Sequence, residues 1–317
     1  MVRCIRRVED IPGNLPLPCV AMGTFDGLHR GHRSVIDRVR EIARTSGGSA
    51  VVVTFEPYPQ EVLRPERPVA RLTSFEEKRL LLGRLGVGVL LALPFDRQMA
   101  ALDAETFFRD TLGPLRMKSL VVGYNFTAGR GRGGDLATLT GVGDDHGFDV
   151  AVVPPVLCGG LPVSSTRIRG AVNRGSIALA NEMLGGPYGI LGKVVEASGR
   201  GRALGFPTAN IVSEDPAKLL PADGVYAVWV RRRDQRVCGV MNVGRRPTFG
   251  ESERWVEVHL VDFRDNLYGE HLFVEVVERL RDEEVFEDEA QLRLQIGRDV
   301  EIARQLLDRE RTIGDRC

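Results

Sequence analysis

The chain has no surplus of charge of either sign. Its 317 residues carry 43 Lys+Arg against 43 Asp+Glu, so no net field draws it to nucleic acid or to an anionic membrane. No apolar run approaches the ~20 residues that a membrane span requires. The first ten residues, Met1 to Asp10, contain no apolar stretch of the kind a signal peptide needs. Cysteine is scarce and scattered: Cys4, Cys19, Cys158, Cys238 and Cys317 form no CxxC pair, which removes the usual zinc-ligand spacing. An odd count in a chain of this length points to a reduced, cytoplasmic protein and not to a disulfide scaffold. A GxxxxGK[ST] segment is missing, which excludes a P-loop enzyme. Internal repeats and low-complexity segments are likewise missing.

What is present is a globular balance, 43% hydrophobic and 27% charged, in a length that suits two domains. Residues 19–22, 50–54, 87–93, 119–122 and 149–153 read as buried strands. Residues 33–43, 75–85 and 104–112 carry apolar residues at helical spacing. Apolar strands alternating with helices predict a doubly wound α/β domain with a parallel sheet, its ligands at the carboxyl ends of the strands. After Gly185-Gly186-Pro187 the pattern changes. Residues 189–196, 224–230, 237–243, 255–263 and 272–280 read as strands with turns between them, which predicts a small antiparallel barrel. Residues 288–307 read as a closing helix packed on it. The expected domains are therefore 1–185 and 186–317. Arg231-Arg232-Arg233 reads as a solvated hairpin end.

Two segments carry chemistry. In Gly205-Phe206-Pro207-Thr208-Ala209-Asn210, the side chains of Thr208 and Asn210 are two apart on an extended segment and share a face. Their oxygens can converge on a hard ion such as Mg²⁺. The second segment, Val20 to His32, reads as strand, loop and helix start. Gly23 and Gly27 permit tight turning and close backbone approach, and helix N-terminal amides favour anions. His29 and His32, two of five histidines in the chain, can donate to phosphate oxygens. Ser164-Ser165-Thr166-Arg167-Ile168-Arg169 begins a later helical segment and offers hydroxyls and arginines as a second anion cradle.

Gly23-Thr24-Phe25-Asp26-Gly27-Leu28-His29-Arg30-Gly31-His32 together with the Ser164–Arg169 run resembles the HxGH nucleotidyltransferases. The whole first half is similar to the FMN adenylyltransferase module of prokaryotic FAD synthetases, with Thr54-Phe55-Glu56-Pro57 and Val122-Gly123-Tyr124-Asn125-Phe126 as further matches. The resemblance implies that His29 and His32 stabilise the ATP phosphates, with Gly23, Phe25 and Asp26 in the same ATP loop. It implies that Ser165, Thr166 and Arg169 bind near the leaving pyrophosphate, and that Asn125 lines the flavin or nucleotide site. The second half resembles riboflavin kinases through residues 192–211, Asp223-Gly224-Val225-Tyr226, Asn242 to Phe249, Glu257-Val258-His259 and Arg281 to Phe286. There the resemblance implies a phosphate-wrapping loop with Gly199, Gly201 and Gly205, Mg²⁺ on Thr208 and Asn210, Glu257 as the base, and Arg281 at the flavin.

These likenesses imply a two-domain transferase that takes riboflavin to FMN and FMN to FAD, with ATP and Mg²⁺. No nucleic-acid or membrane partner is expected, and a homo-oligomer is left open. Three positions depart from the family pattern. Tyr58 stands in Pro57-Tyr58-Pro59 where Pro-His-Pro is common. Thr127-Ala128-Gly129 stands where Arg-Phe-Gly is common, and Glu196-Ala197 where His-Gly is. The first two fall near where the family holds flavin. They motivate a rival reading, a riboflavin kinase whose adenylyltransferase half has drifted. A non-catalytic flavin-binding regulator is the rival from another class.

Overall fold

The computed structural model describes residues 2–13, 15–196, 205–245 and 254–314, without the side chains at 132 and 310–314. The chain divides into two compact units, Met1–Arg71 with Phe75–Ser165, and Leu72–Ser74 with Thr166–Cys317.

The first unit is built on strands β1 (Arg3–Ile5), β2 (Pro18–Met22), β3 (Ser49–Glu56), β4 (Val89–Pro94), β5 (Ser119–Gly123) and β6 (Asp149–Val153). They pair in the order β1-β4-β3-β2-β5-β6, and every pairing is parallel. Helices α1 (Arg30–Ser46), α2 (Pro59–Leu63), α3 (Phe75–Arg84), α4 (Arg97–Ala101), α5 (Ala104–Thr106) and α6 (Leu136–His146) fill the connections. Alternate residues of one strand go to opposite cores. Val20 and Met22 face Phe108 and Leu139, whereas Cys19 and Ala21 face Val35, Ile36 and Val39 of α1. Both faces of the sheet are covered, which is why its strands are apolar without alternation. The doubly wound expectation holds.

Three details differ from the sequence reading. Strand β1 was not expected: it is three residues long, begins with an exposed arginine and joins at the sheet edge through β4. Helix α6 was also missed, because Gly141 and Gly143 interrupt its apolar pattern. Gly143 is required by space, since a Cβ there would fall 2.6 Å from the carbonyl oxygen of Phe148. Residues 104–112 do not form one regular helix. After α5 the turn widens into a π-helical stretch, Phe107–Leu112, which carries Phe107, Phe108 and Leu112 together into the core.

A two-stranded hairpin, β7 (Leu157–Cys158) with β8 (Leu161–Pro162), precedes helices α7 (Ser165–Asn173) and α8 (Ile177–Leu184). The second unit then closes six antiparallel strands into a barrel: β9 (Tyr188–Val195), β10 (Thr208–Val212), β11 (Gly224–Arg232), β12 (Gln235–Arg245), β13 (Arg254–Leu260) and β14 (His271–Arg281), in the order β10-β13-β12-β11-β14-β9. Helix α9 (Glu289–Gly314) covers one outer flank, where Ala303 and Leu307 pack on Val225, Ala227, Trp229 and Val240. The barrel and its closing helix are as expected. The arginine run does end a hairpin, but it is not simply solvated. Arg232 makes a two-pronged pair with Glu270, and Arg231 meets the buried carboxylate of Glu275.

Helix α8 is fastened to the barrel by one side chain. The Asn181 amide donates to the carbonyls of Val276 (2.9 Å) and Val277 (3.0 Å), and its oxygen accepts from the Tyr188 N–H (2.8 Å). Removing the amide leaves backbone groups without partners, at about 1–3 kcal/mol. Asn181→Ala should therefore lower the stability of this unit by about 2 kcal/mol in urea denaturation followed by tryptophan fluorescence, both tryptophans lying in barrel strands. An unchanged midpoint would mean that α8 docks through its apolar face alone.

Candidate functional site

In the first unit, the strand order reverses at β2. From it the chain runs outward through β3 and β4, whereas β5 and β6 lie on its other side. The loops leaving β2 and β5 therefore flank the crevice where such sheets bind ligands. The loop from Gly23 to His29 has three residues in the left-handed region: Phe25 (φ 49°), Gly27 (φ 86°) and Leu28 (φ 44°). For the two non-glycines this costs of order 1–3 kcal/mol each. Full burial of Phe25 and Leu28 offsets it, at roughly 1.5–3 kcal/mol per side chain.

The loop delivers a pair of stacked imidazoles. His29 is the N-cap of α1, and its Nδ1 accepts the His32 N–H at 3.3 Å. That acceptance puts the His29 proton on Nε2. The rings of His29 and His32 lie 3.6 Å apart and 17° from parallel, and Phe25 packs edge-on against His32 at 5.3 Å. The intervening Gly31 leaves room for the stack, since a Cβ there would sit a tight 3.2 Å from His29 Cε1. Burial lowers the His29 pKa to about 4 against the upward pull of Asp26. Burial likewise holds His32 well below its usual value, with His29 and Lys78 pushing the same way. Near neutral pH both rings are uncharged N–H donors.

Beneath the loop lies a buried polar cluster. Asp26, 2% exposed, accepts the Tyr58 hydroxyl at 3.1 Å. Lys78, fully buried, donates to the Thr24 carbonyl (2.8 Å) and to Thr54 Oγ1 (3.3 Å). Arg71 bonds Glu56 and, with two prongs, Glu61. Both cations stand over the Tyr58 ring, at 4.5 Å for Lys78 and 4.6 Å for Arg71. Sequence reasoning noted Tyr58 as a departure and overlooked Lys78 and Arg71. A lysine among helical residues carries no sign of burial, although its spacing from the apolar positions of α3 does place it on the inner face. Ser165 is brought to this loop, its hydroxyl donating to the Asp26 carbonyl at 2.9 Å. Thr166 and Arg169 follow it on α7, and Asn125 is exposed in the loop after β5. A shallow groove of about 570 Å³ runs between α1 and the end of β6, past Ser34, Asp37 and Pro154, and no predicted site residue lines it.

In the second unit, strand pairing assembles the site. Thr208 lies opposite His259, and Asn210 opposite Glu257. Cross-strand partners share a face, so these four side chains stand together. The same row continues from Glu257 to Asn242, from Asn242 to Val225 and from Val225 to Arg281. The opposite face, with Ile211, Val256 and Val258, is buried. His259 is oriented by Nδ1 against the Pro207 carbonyl (2.9 Å) and by the Phe206 ring. Gly205 takes φ +85° at the entry to β10. Gly199 and Gly201 lie outside the described residues. Arg281 is held by Asp299 through its Nε and one terminal nitrogen, and it stands 5.7 Å from the Phe286 ring.

Thr208 and Asn210 offer two neutral oxygens with the Glu257 carboxylate directly opposite Asn210. This suits Mg²⁺, which keeps several waters and takes further oxygens from nucleotide phosphates. Among the described residues no group of three or more His, Cys, Asp and Glu could hold a metal, so an all-protein metal cage is not what this face provides.

An α/β unit with stacked imidazoles at its switch point, joined to an antiparallel barrel that sets a carboxylate opposite Asn210 and beside Thr208, has the form of a two-domain phosphate-transfer protein. Family models agree in order: FAD synthetase matches residues 15–167 and riboflavin kinase residues 184–307. The bifunctional riboflavin kinase/FMN adenylyltransferase of Escherichia coli (strain K12) is 38% identical over 307 residues, covering 96% of this chain and 97% of that protein. The one from Pseudomonas fluorescens is 38% identical over 91% of this chain and 93% of its own. A crystal structure titled as a macrolide-efflux protein from Streptococcus pneumoniae superposes with a TM-score of 0.85 at 34% identity, covering 96% of this chain and 98% of that one. Among the described residues no helix is long and apolar enough to cross a membrane. The chain belongs to the bifunctional riboflavin kinase/FMN adenylyltransferase family.

The buried imidazoles link stability to pH. Between pH 6.5 and about 4 the unfolded chain takes up a proton at His29 that the folded chain refuses. Stability is therefore full above pH 6.5 and falls as the pH drops to about 4, by roughly 3 kcal/mol from this group. Urea denaturation at a series of pH values should show this slope for the first unit and a shallower one in His29→Asn. Equal slopes would contradict the burial of His29.

Proposed function

We propose that the chain phosphorylates riboflavin to FMN in residues 186–317 and transfers AMP from a second ATP to FMN in residues 1–185, giving FAD. The observation that carries this reading is the presence on one chain of two phosphate-handling constellations, the stacked imidazoles and the Thr208–Asn210–Glu257 face, in family order. In the first step Glu257 takes the proton of the ribityl 5′-hydroxyl as that oxygen attacks the γ-phosphorus, and ADP leaves. Thr208 and Asn210 would hold Mg²⁺, which would supply charge neutralisation to the nucleotide phosphates. Gly199, Gly201 and Gly205 wrap those phosphates, and Arg281 borders the flavin.

In the second step a phosphate oxygen of FMN attacks the α-phosphorus of ATP, and pyrophosphate leaves. No protein nucleophile takes part. Gly23, Phe25 and Asp26 shape the ATP loop, His29 and His32 donate N–H to the phosphate oxygens, and Ser165, Thr166 and Arg169 meet the departing pyrophosphate. Asn125 lines the flavin side. The reactions take place in the cytoplasm. One observation weighs against the kinase-only rival: Tyr58, one of the two departures behind it, is 3% exposed beneath the loop, with its hydroxyl bonded to Asp26.

Incubation with riboflavin, ATP and Mg²⁺, followed by chromatography of the flavins, tests the reading. FMN should appear first and FAD after it. His29→Ala should cut FAD formation about 10²–10³-fold and spare FMN formation. Glu257→Gln should cut FMN formation by roughly 10²–10⁴-fold without rescue by added Mg²⁺. Thr208→Ala should weaken nucleotide binding in a way that rising Mg²⁺ relieves. FMN without FAD from the unaltered chain would restore the kinase-only reading, and near-normal turnover in Glu257→Gln would remove Glu257 from its role.

A further inference from the structure

The loop from Gly23 to His29 is strained, and it is pinned from below at successive points. Gly23 N–H donates to the Val53 carbonyl at 3.1 Å. The Thr24 carbonyl accepts from Lys78 Nζ at 2.8 Å and from Thr54 Oγ1 at 3.2 Å. The Asp26 carboxylate accepts from Tyr58 at 3.1 Å. Strained backbone persists only where its surroundings over-determine it, and an ammonium buried completely is costly unless paired and hydrogen-bonded. Lys78 is buried completely, and the contacts recorded for its nitrogen are the loop carbonyl, the threonine that holds the same carbonyl, and the Tyr58 ring. One buried cation, Lys78, therefore bonds the segment that carries the imidazoles, and the partly buried Arg71 stands with it over the Tyr58 ring.

We propose that Tyr58 and Lys78 are positioning residues for adenylyl transfer, fixing Asp26 and Thr24 from beneath so that His29 and His32 stay stacked. This rests on the reading of the first unit as the adenylyltransferase. Neither residue touches the reacting atoms; both act through the loop. The ionisable groups facing the imidazole pair are Asp26, which favours protonation of His29, and Lys78, which opposes protonation of His32. Behind them, Glu56, Arg71 and Glu61 act on Lys78. The Tyr58 hydroxyl disperses the charge of Asp26. Without it the carboxylate pulls harder on the His29 proton.

The test uses the full chain with Tyr58→Phe, Lys78→Met and Asp26→Asn. FAD formation from FMN and ATP is measured beside riboflavin phosphorylation, with an NMR titration of the His29 ring. Tyr58→Phe keeps the ring beneath both cations and loses the donor. Its kcat for FAD formation should fall about 10-fold, since small misplacements of catalytic groups carry penalties up to about 10²-fold. KM for FMN and the kinase rate should stay within about twofold of the unaltered chain on the same argument. The His29 midpoint should rise from about 4 in Tyr58→Phe and should not rise in Asp26→Asn, an opposition that mere loosening of a core would not produce. Lys78→Met should lower kcat in the same way, which keeps the idea testable if Tyr58→Phe is insoluble. Unaltered kcat with an unmoved His29 midpoint in Tyr58→Phe would overturn the proposal, as would a rise of that midpoint in Asp26→Asn. If the unaltered chain forms no FAD, the adenylyltransferase reading fails, while the His29 titrations still decide whether Tyr58 and Asp26 control the imidazoles.

Discussion

The pairing register of β10 with β13 is the constraint on which the barrel and its site stand together. Side chains alternate along a strand, so a slip of one residue would exchange the two faces. Ala209 and Ile211 of β10, or Val256 and Val258 of β13, all buried, would turn outward. At roughly 1.5–3 kcal/mol for each large apolar side chain, that cost is a large part of the stability of a domain. The register that buries these residues is the one that sets Asn210 opposite Glu257 and Thr208 opposite His259. Geometry at the polar face thus follows from hydrophobic burial on the other, without any contact among the polar groups having to enforce it. The same row reaches Arg281 across Asn242 and Val225. There the bond to Asp299, itself 2% exposed, ties the end of β14 to α9.

The first unit solves the opposite problem. Its functional groups sit on a loop, where no ladder imposes a register, and the loop adopts conformations that isolated residues avoid. Order comes from anchoring at Gly23, Thr24 and Asp26, and from the Ser165 hydroxyl on the Asp26 carbonyl. Burial then does chemical work as well. It keeps the two rings neutral, and two imidazolium rings 3.6 Å apart would repel. Donors held rigidly in a dry setting stabilise developing charge better than the same donors in water, because they need no reorganisation when the charge appears.

Much of this was legible in the residue order. Unbroken apolar runs such as Ala50–Thr54 announced strands covered on both faces, and the change after Gly185-Gly186 announced the barrel. His29, His32, Thr208, Asn210 and Glu257 stood out because each sits in a dense local pattern, and the fold stacks the first two and pairs Asn210 with Glu257. The buried cluster was not, for a physical reason. Tyr58, Arg71 and Lys78 lie on separate segments of a parallel sheet's connections, and long cationic side chains ordinarily reach solvent. Only the packed fold reveals that Lys78 turns inward to a carbonyl 54 positions earlier in the chain. Helix α6 was hidden by the glycine that its packing demands.

The two departures near the expected flavin site have different surroundings. Tyr58 is a buried donor beneath the loop, bonded to Asp26. Around Thr127-Ala128 the chain folds back on itself, Ala128 and Gly134 exchanging N–H···O bonds at 3.0 and 2.9 Å, while the Arg130 N–H donates to the Leu102 carbonyl at 2.7 Å. This turn lies close against Asp103 and Ala104. A Cβ at Gly129 would fall 2.5 Å from the Ala104 nitrogen, and one at Gly134 would fall 2.7 Å from the Ala104 Cβ. Small residues here let one backbone lie directly on another, which a bulkier run would hold apart. Gly129 and Gly134 therefore set how closely this turn can approach Asp103 and Ala104.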